Sequence, residues 1–146
     1  MKEASRLARL ARHFAMEHKR LELAKRASET AMRRVQARQR RLAAEQTTAA
    51  EAEPPRRNAG AWLRWRGAYL DRTSNESKQL AASQEQLRIA LALQNRRLVR
   101  SSGRQRGIEK LLAAAHSAEQ GRVESMQQAE ADQRAGISRL GRDDVI

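Results

Sequence analysis

A seven-residue repeat runs through the first 45 residues and limits what this chain can become. Leu7, Phe14, Leu21, Ser28, Val35 and Leu42 fall seven apart, and all but Ser28 are apolar. Three residues on from each come Leu10, Glu17, Ala24, Ala31, Arg38 and Glu45, of which Leu10, Ala24 and Ala31 are apolar. This is a narrow apolar seam on a charged helix. Such a helix is marginal alone and needs a partner helix to cover the seam. The pattern points to a protein that works by what it touches.

Composition agrees with that reading. Aromatic residues make up 3% of the 146 and charged residues 32%, so a thick globular core is excluded. Abundant Ala, Arg, Glu, Gln and Leu is the composition of a long helix or coiled coil. A net charge of +13 also invites a disordered reading, against which the heptads stand. There is no cysteine, so disulfides and thiolate metal sites are excluded. No apolar run approaches the roughly 18 residues that would suggest a transmembrane segment. The basic, amphipathic N-terminus lacks the apolar stretch of a secretory signal, and Glu3, Glu17 and Glu22 interrupt it as a transit peptide.

The only two prolines, Pro54 and Pro55, set the organisation. Neither can donate a backbone hydrogen bond, and Pro55 pushes Pro54 away from helical geometry. The expected elements are helix one over about 3–53, a turn over about 54–60, helix two over about 61–135 and a frayed tail over 136–146. Asn58 is the expected N-cap of helix two. The expected fold is all-α: a long two-helix antiparallel coiled-coil hairpin whose second helix outlasts the first.

The second helix carries a looser seam. One row is Leu70, Ser77, Gln84, Leu91, Leu98, Gln105, Leu112, Glu119 and Met126; the companion row is Thr73, Leu80, Leu87, Gln94, Ser101, Ile108, Ala115, Arg122 and Ala129. Ser101-Ser102-Gly103 and Gly107 mark an expected kink, soft spot or reversal, each glycine costing roughly 1 kcal/mol relative to Ala. Equal arms put Glu3 opposite Glu109, leaving the C-terminal third without an intramolecular partner. Residues 1–45 carry 13 basic and 5 acidic groups, residues 56–110 carry 13 and 4, and residues 111–146 carry 4 and 6. The paired arms are therefore strongly basic and attract acidic surfaces in general.

No motif of catalysis, cofactor binding or metal ligation is visible. There is no glycine-rich phosphate loop. His13 and His18 lie about 140° apart around a helix, and His116 is remote. The aromatic residues are more informative. Trp62, Trp65 and Tyr69 fall on one stripe just after the turn, flanked by Arg64 and Arg66. They either cap the hairpin by packing on the end of helix one or anchor a partner, since Trp and Tyr are enriched at binding hot spots. Arg33-Arg34, Arg40-Arg41, Arg56-Arg57 and Arg96-Arg97 could contact phosphates, but no DNA-reading arrangement accompanies them, and specific nucleic-acid binding is not expected.

A basic N-terminal amphipathic helix, a mid-chain turn and an aromatic start to a longer second helix resemble the flagellar type III export protein FliJ family and its injectisome relatives of the YscO type. AWLRWRGAYLDRTSNESKQL resembles the family's aromatic segment, and IEKLLAAAHSAEQGRVESMQQAEADQRA resembles its C-terminal helix. The resemblance spans nearly the whole chain through motifs of low specificity. The Pro-Pro turn, the Trp/Tyr spacing and the Ala- and Gly-rich C-terminal stretch depart from the family pattern. It implies a non-catalytic cytoplasmic stalk, peripheral at the inner-membrane export gate. The implied partners are a hexameric export ATPase, the cytoplasmic part of the export gate membrane protein, and export chaperones. It implies that Trp62, Trp65 and Tyr69 face the gate. Leu7, Leu10 and the helix that carries Arg122 and Met126 are implied to face the ATPase ring. The alternatives are a basic nucleic-acid-associated coiled coil and a generic structural coiled coil that self-associates through its unpaired third.

Overall fold

The computed structural model describes residues 2–143 and contains two α-helices packed against each other as an antiparallel hairpin. Helix α1 spans Lys2–Glu51 and helix α2 spans Ala59–Asp143, 50 and 85 residues. The last helical bond of α1 runs from Ala52 N to the Thr48 carbonyl at 3.0 Å, two residues before the first proline. The helix thus ends slightly before residue 53, because Pro54 already constrains the residue that precedes it, Glu53. Asn58 adopts φ 57°, a left-handed conformation that asparagine tolerates better than branched residues. Its carbonyl accepts the first bond of α2 from Trp62 N at 3.0 Å, so Asn58 occupies the N-cap position.

Two expectations at the far end of α2 differ from the structure. The helical backbone is unbroken through Ser101-Ser102-Gly103 and Gly107, so the chain does not reverse there. It also continues past Gly136 and Gly141 to Asp143, where the sequence suggested a tail from residue 136; residues 144–146 lie outside the described stretch. Gly103 and Gly107 are both exposed, while Ser101 and Ile108 on either side of them face inward with 6% exposure each. The glycines therefore take solvent-side positions, and their helix-propensity cost is offset by inward packing of their neighbours.

The chain divides into two compact units. One, residues 18–100, contains the turn; the other combines residues 1–17 with residues 101–146. In the turn unit, Leu42 is 1% exposed and Thr73 3%. Thr73 satisfies its hydroxyl by donating to the Leu70 carbonyl at 3.0 Å, one helical turn back. In the terminal unit Ile108 and Ser101 are the buried residues, with Leu7, Phe14, Leu112 and Ala115 half-buried.

The principal row of α1 faces inward as expected from Leu7 to Leu42. Its companion row does so only in part: Glu17, Ala31 and Arg38 are half-buried, whereas Leu10, Ala24 and Glu45 are exposed. The positions four residues on, Ala11, His18, Lys25, Met32, Gln39 and Gln46, are all half-buried. Half-burial of Lys25, Gln39 and Gln46 suits side chains with an apolar stem and a polar end. On α2 both expected rows face inward from Leu70 to Glu119, except Ser77, whose neighbour Glu76 takes the inward place.

Candidate functional site

Three surfaces offer themselves for partners: an aromatic groove beside the turn, a hollow between the helices in the terminal unit, and the end of α2 beyond it.

The aromatic groove belongs to the turn unit. Trp62, Trp65 and Tyr69 of α2 line it with Ala44, Glu45, Thr48, Ala49 and Ala52 of α1. The i, i+3, i+7 spacing stacks the rings along one face, and the alanines of α1 leave room for them. Trp65 and Tyr69 stack with centroids 5.4 Å apart and planes inclined by 16°. Trp62 and Tyr69 are half-buried, whereas Trp65 is 58% exposed. The stripe is thus graded: Trp62 and Tyr69 are half-buried beside the end of α1, and Trp65, stacked on Tyr69, is the most exposed of the three.

Arginines reinforce the groove. Arg66 lies 5.4 Å from the Trp62 ring centroid and donates from Nη2 to the Ala50 carbonyl at 2.6 Å. That bond satisfies a carbonyl in the last turn of α1, which a helix end leaves without an intrahelical donor. Arg72 lies 5.5 Å from the Tyr69 ring centroid. The Tyr69 hydroxyl donates to Glu45 Oε2 at 3.4 Å, and Arg38 Nη1 lies 3.5 Å from Glu45 Oε1.

Arg38 also makes a two-pronged pair with Glu76, Nε to Oε1 at 2.7 Å and Nη2 to Oε2 at 3.0 Å. The Arg38 hydrogen bonds hold the Glu76 carboxyl below its ordinary pKa, and those to Glu76 raise the Arg38 guanidinium. Further along, Gln39 Nε2 donates to Gln84 Oε1 and Gln94 Nε2 to Ser28 Oγ, both at 3.0 Å. These contacts fix the pairing. Its midpoint falls near residue 57 for Arg38–Glu76 and at residue 61 for Ser28–Gln94.

The hollow in the terminal unit is lined by Glu3, Ala4 and Leu7 from α1, and by Leu111, Ala114, Ala115, Ala118, Glu119 and Arg122 from α2. Glu3 therefore shares its surroundings with Glu119 and Arg122, about ten residues beyond the expected Glu109. The Ser28–Gln94 pair centres at residue 61, later than the prolines, and the Glu3 surroundings follow that later centre. Leu7 and Arg122 meet in this hollow. Leu10, 45% exposed, and Met126, 65% exposed, are not among its lining residues.

Beyond Glu119 every residue of α2 from Gln120 to Arg142 is exposed, including Val123, Met126, Ile137 and Leu140. The extension needed no structural insight to foresee. The α1 side of the aromatic groove did, because its small residues acquire meaning only from the pairing.

Among the described residues, no group of three or more His, Cys, Asp or Glu could hold a metal ion, and no helix is long and apolar enough to cross a membrane. His13 pairs along α1 with Glu17 at 3.0 Å, and His18 with Glu22 at 3.2 Å. Compared with protein-family models, curated proteins and solved structures, the chain matches none.

Proposed function

We propose that this chain is a non-catalytic stalk or escort component of a type III protein export apparatus of the flagellar kind. It binds a hexameric export ATPase and stimulates hydrolysis by stabilising the assembled ring. It links that ring to the cytoplasmic part of the export gate and receives export chaperones. Its place is the cytoplasm, peripheral to the inner membrane at the gate. The observation that carries this reading is the uncovered end of α2: residues 120–142 continue as helix with every side chain exposed. A helix end of that kind suits insertion into a ring, while the exposed Trp65 beside Trp62 and Tyr69 suits a second partner at the turn. The sequence resemblance to FliJ-type proteins supplies the identity of those partners.

The test is ATP hydrolysis by an export-type hexameric ATPase from the same organism, with the purified chain added. The chain should raise turnover and the hexameric fraction, and a chain ending at Gln120 should not. No change at saturating full-length chain would defeat the proposal.

The basic arms favour a second reading, a basic coiled coil associated with nucleic acid. Residues 1–45 and 56–110 carry net charges of +8 and +9. Its binding should weaken steeply with salt, because neutralising phosphates releases their condensed counterions. Affinity for DNA or RNA that is only non-specific at physiological salt would defeat this reading.

A further inference from the structure

The exposed end of α2 has a pattern of its own. Glu119, Met126, Gln133 and Leu140 continue the seven-residue row that faces α1 earlier in the helix. The companion row changes sides. In the covered part it is Ser101, Ile108 and Ala115, three residues on from the main row; in the exposed part the apolar companions are Val123 and Ile137, four residues on. The resulting face, Val123, Met126, Glu130, Gln133, Ile137 and Leu140, has the alternating four- and three-residue steps of a coiled-coil seam. Its apolar members are 48%, 65%, 63% and 68% exposed in chain order. It keeps the main row of the face that pairs with α1 and exchanges the companion row for one on the other side.

We propose that this seam pairs with the same seam of a second copy, antiparallel, about a two-fold axis between Ala131 and Asp132. Two features of the segment select that occupant. The apolar positions are self-complementary under reversal. With the axis at that point, Val123 faces Leu140 of the other copy and Met126 faces Ile137. The central layer sets Glu130 against Gln133, where the amide can donate to the carboxylate. An antiparallel coiled coil pairs the two kinds of core position with each other in this way.

Charge selects the same orientation. Residues 123–132 hold Glu124, Glu130 and Asp132 and no basic residue, whereas residues 133–142 hold Arg134, Arg139 and Arg142 and no acidic one. Antiparallel pairing sets each acidic half against a basic half, twice. Parallel pairing sets like against like and is disfavoured. The helix is already formed in the single chain, so pairing need not also order the backbone. Self-pairing does not depend on the export role, but it covers the segment that would enter a ring and must be released first.

The experiment uses the full chain. Sedimentation equilibrium should give a monomer–dimer equilibrium, and Ile137→Glu or Met126→Glu should raise the dissociation constant at least tenfold without loss of helical circular dichroism. A strictly monomeric chain up to its solubility limit overturns the proposal, as does a dimer that both substitutions leave unchanged. Orientation is read from cysteines, since the chain has none of its own. Met126→Cys mixed with Ile137→Cys should form a heterodimeric disulfide. Each variant alone should not, because eleven residues of offset separate like sulfurs by about 16 Å. A ready disulfide between two Met126→Cys chains would establish a parallel pair and sink the proposal.

Discussion

In the unit around the turn, long polar side chains reach from one helix to the other: Arg38 to Glu76, Gln39 to Gln84, Gln94 to Ser28. In the terminal unit the apolar residues Leu7, Phe14, Ile108, Leu112 and Ala115 fill most inward positions, beside the buried Ser101 and the half-buried Gln105 and Glu119. Both stretches follow one seven-residue repeat, yet they specify alignment by different means. A bond between two particular amides is satisfied in one register only. Apolar contacts accept a one-heptad slip more readily, because Leu meets Leu either way. The cross-helix bonds of the turn unit therefore carry alignment information, at some cost: Gln94 Oε1 is buried with no hydrogen-bond partner.

This contrast can be broken from its strongest point downward. Leu42, 1% exposed, holds the centre of the turn unit. Leu42→Ala should remove about 3 kcal/mol of unfolding free energy in urea melts. Ile108→Ala, at a site with slightly more solvent exposure, should remove about 2 kcal/mol. Equal losses would erase the contrast, and reversed ones would show that the terminal unit is the better packed of the two.

A third variant separates alignment from stability. Ser28→Ala alone strands the Gln94 amide and should cost about 1 kcal/mol. Combined with Gln94→Leu it should recover that loss or more, because no buried polar group is then left unpaired. Paired spin labels on the two helices should at the same time show a broader distance distribution. A double variant with an unchanged distribution would deny these polar layers any part in register.

The smallest effect is electrostatic. The folded chain holds the Glu76 carboxyl below its ordinary value of 4.5, chiefly through the Arg38 hydrogen bonds. The pair's contribution is therefore complete above that value and is lost as pH falls through the depressed one. Both side chains are partly exposed, so the effect is modest and screened by salt. Glu76→Gln should flatten that acidic limb of the stability profile; an identical limb in the variant would assign it to other carboxylates.

The hairpin and the inward rows of α2 were legible because heptad spacing and a Pro-Pro turn each have one straightforward structural solution. The companion row of α1 was not. Counting apolar residues favours Leu10, Ala24 and Ala31, yet of these only Ala31 is half-buried, alongside Lys25, Gln39 and Gln46. Hydrophobicity scores a whole side chain, but a seam selects for an aliphatic stem of the right reach. The aromatic stripe was likewise visible from its spacing. Its floor of Ala44, Ala49 and Ala52 was hidden, since small residues become a groove only once the pairing is fixed. The continuity of α2 through Gly103 and Gly107 was hidden for a related reason: propensity gives the cost of a glycine, and only packing tells which side of the helix it is on.

The connection at residues 52–58 is fully exposed and contains Arg56-Arg57 outside either helix. Cutting there removes no inward contact, since the Arg66 bond to Ala50 closes the end of the hairpin from the α2 side. What the peptide link contributes is effective concentration, of millimolar order for a short connector. A chain nicked by trypsin at that site would become a heterodimer of two helical fragments. Its melting temperature would then rise with protein concentration, whereas an intact monomeric hairpin melts at a temperature independent of it.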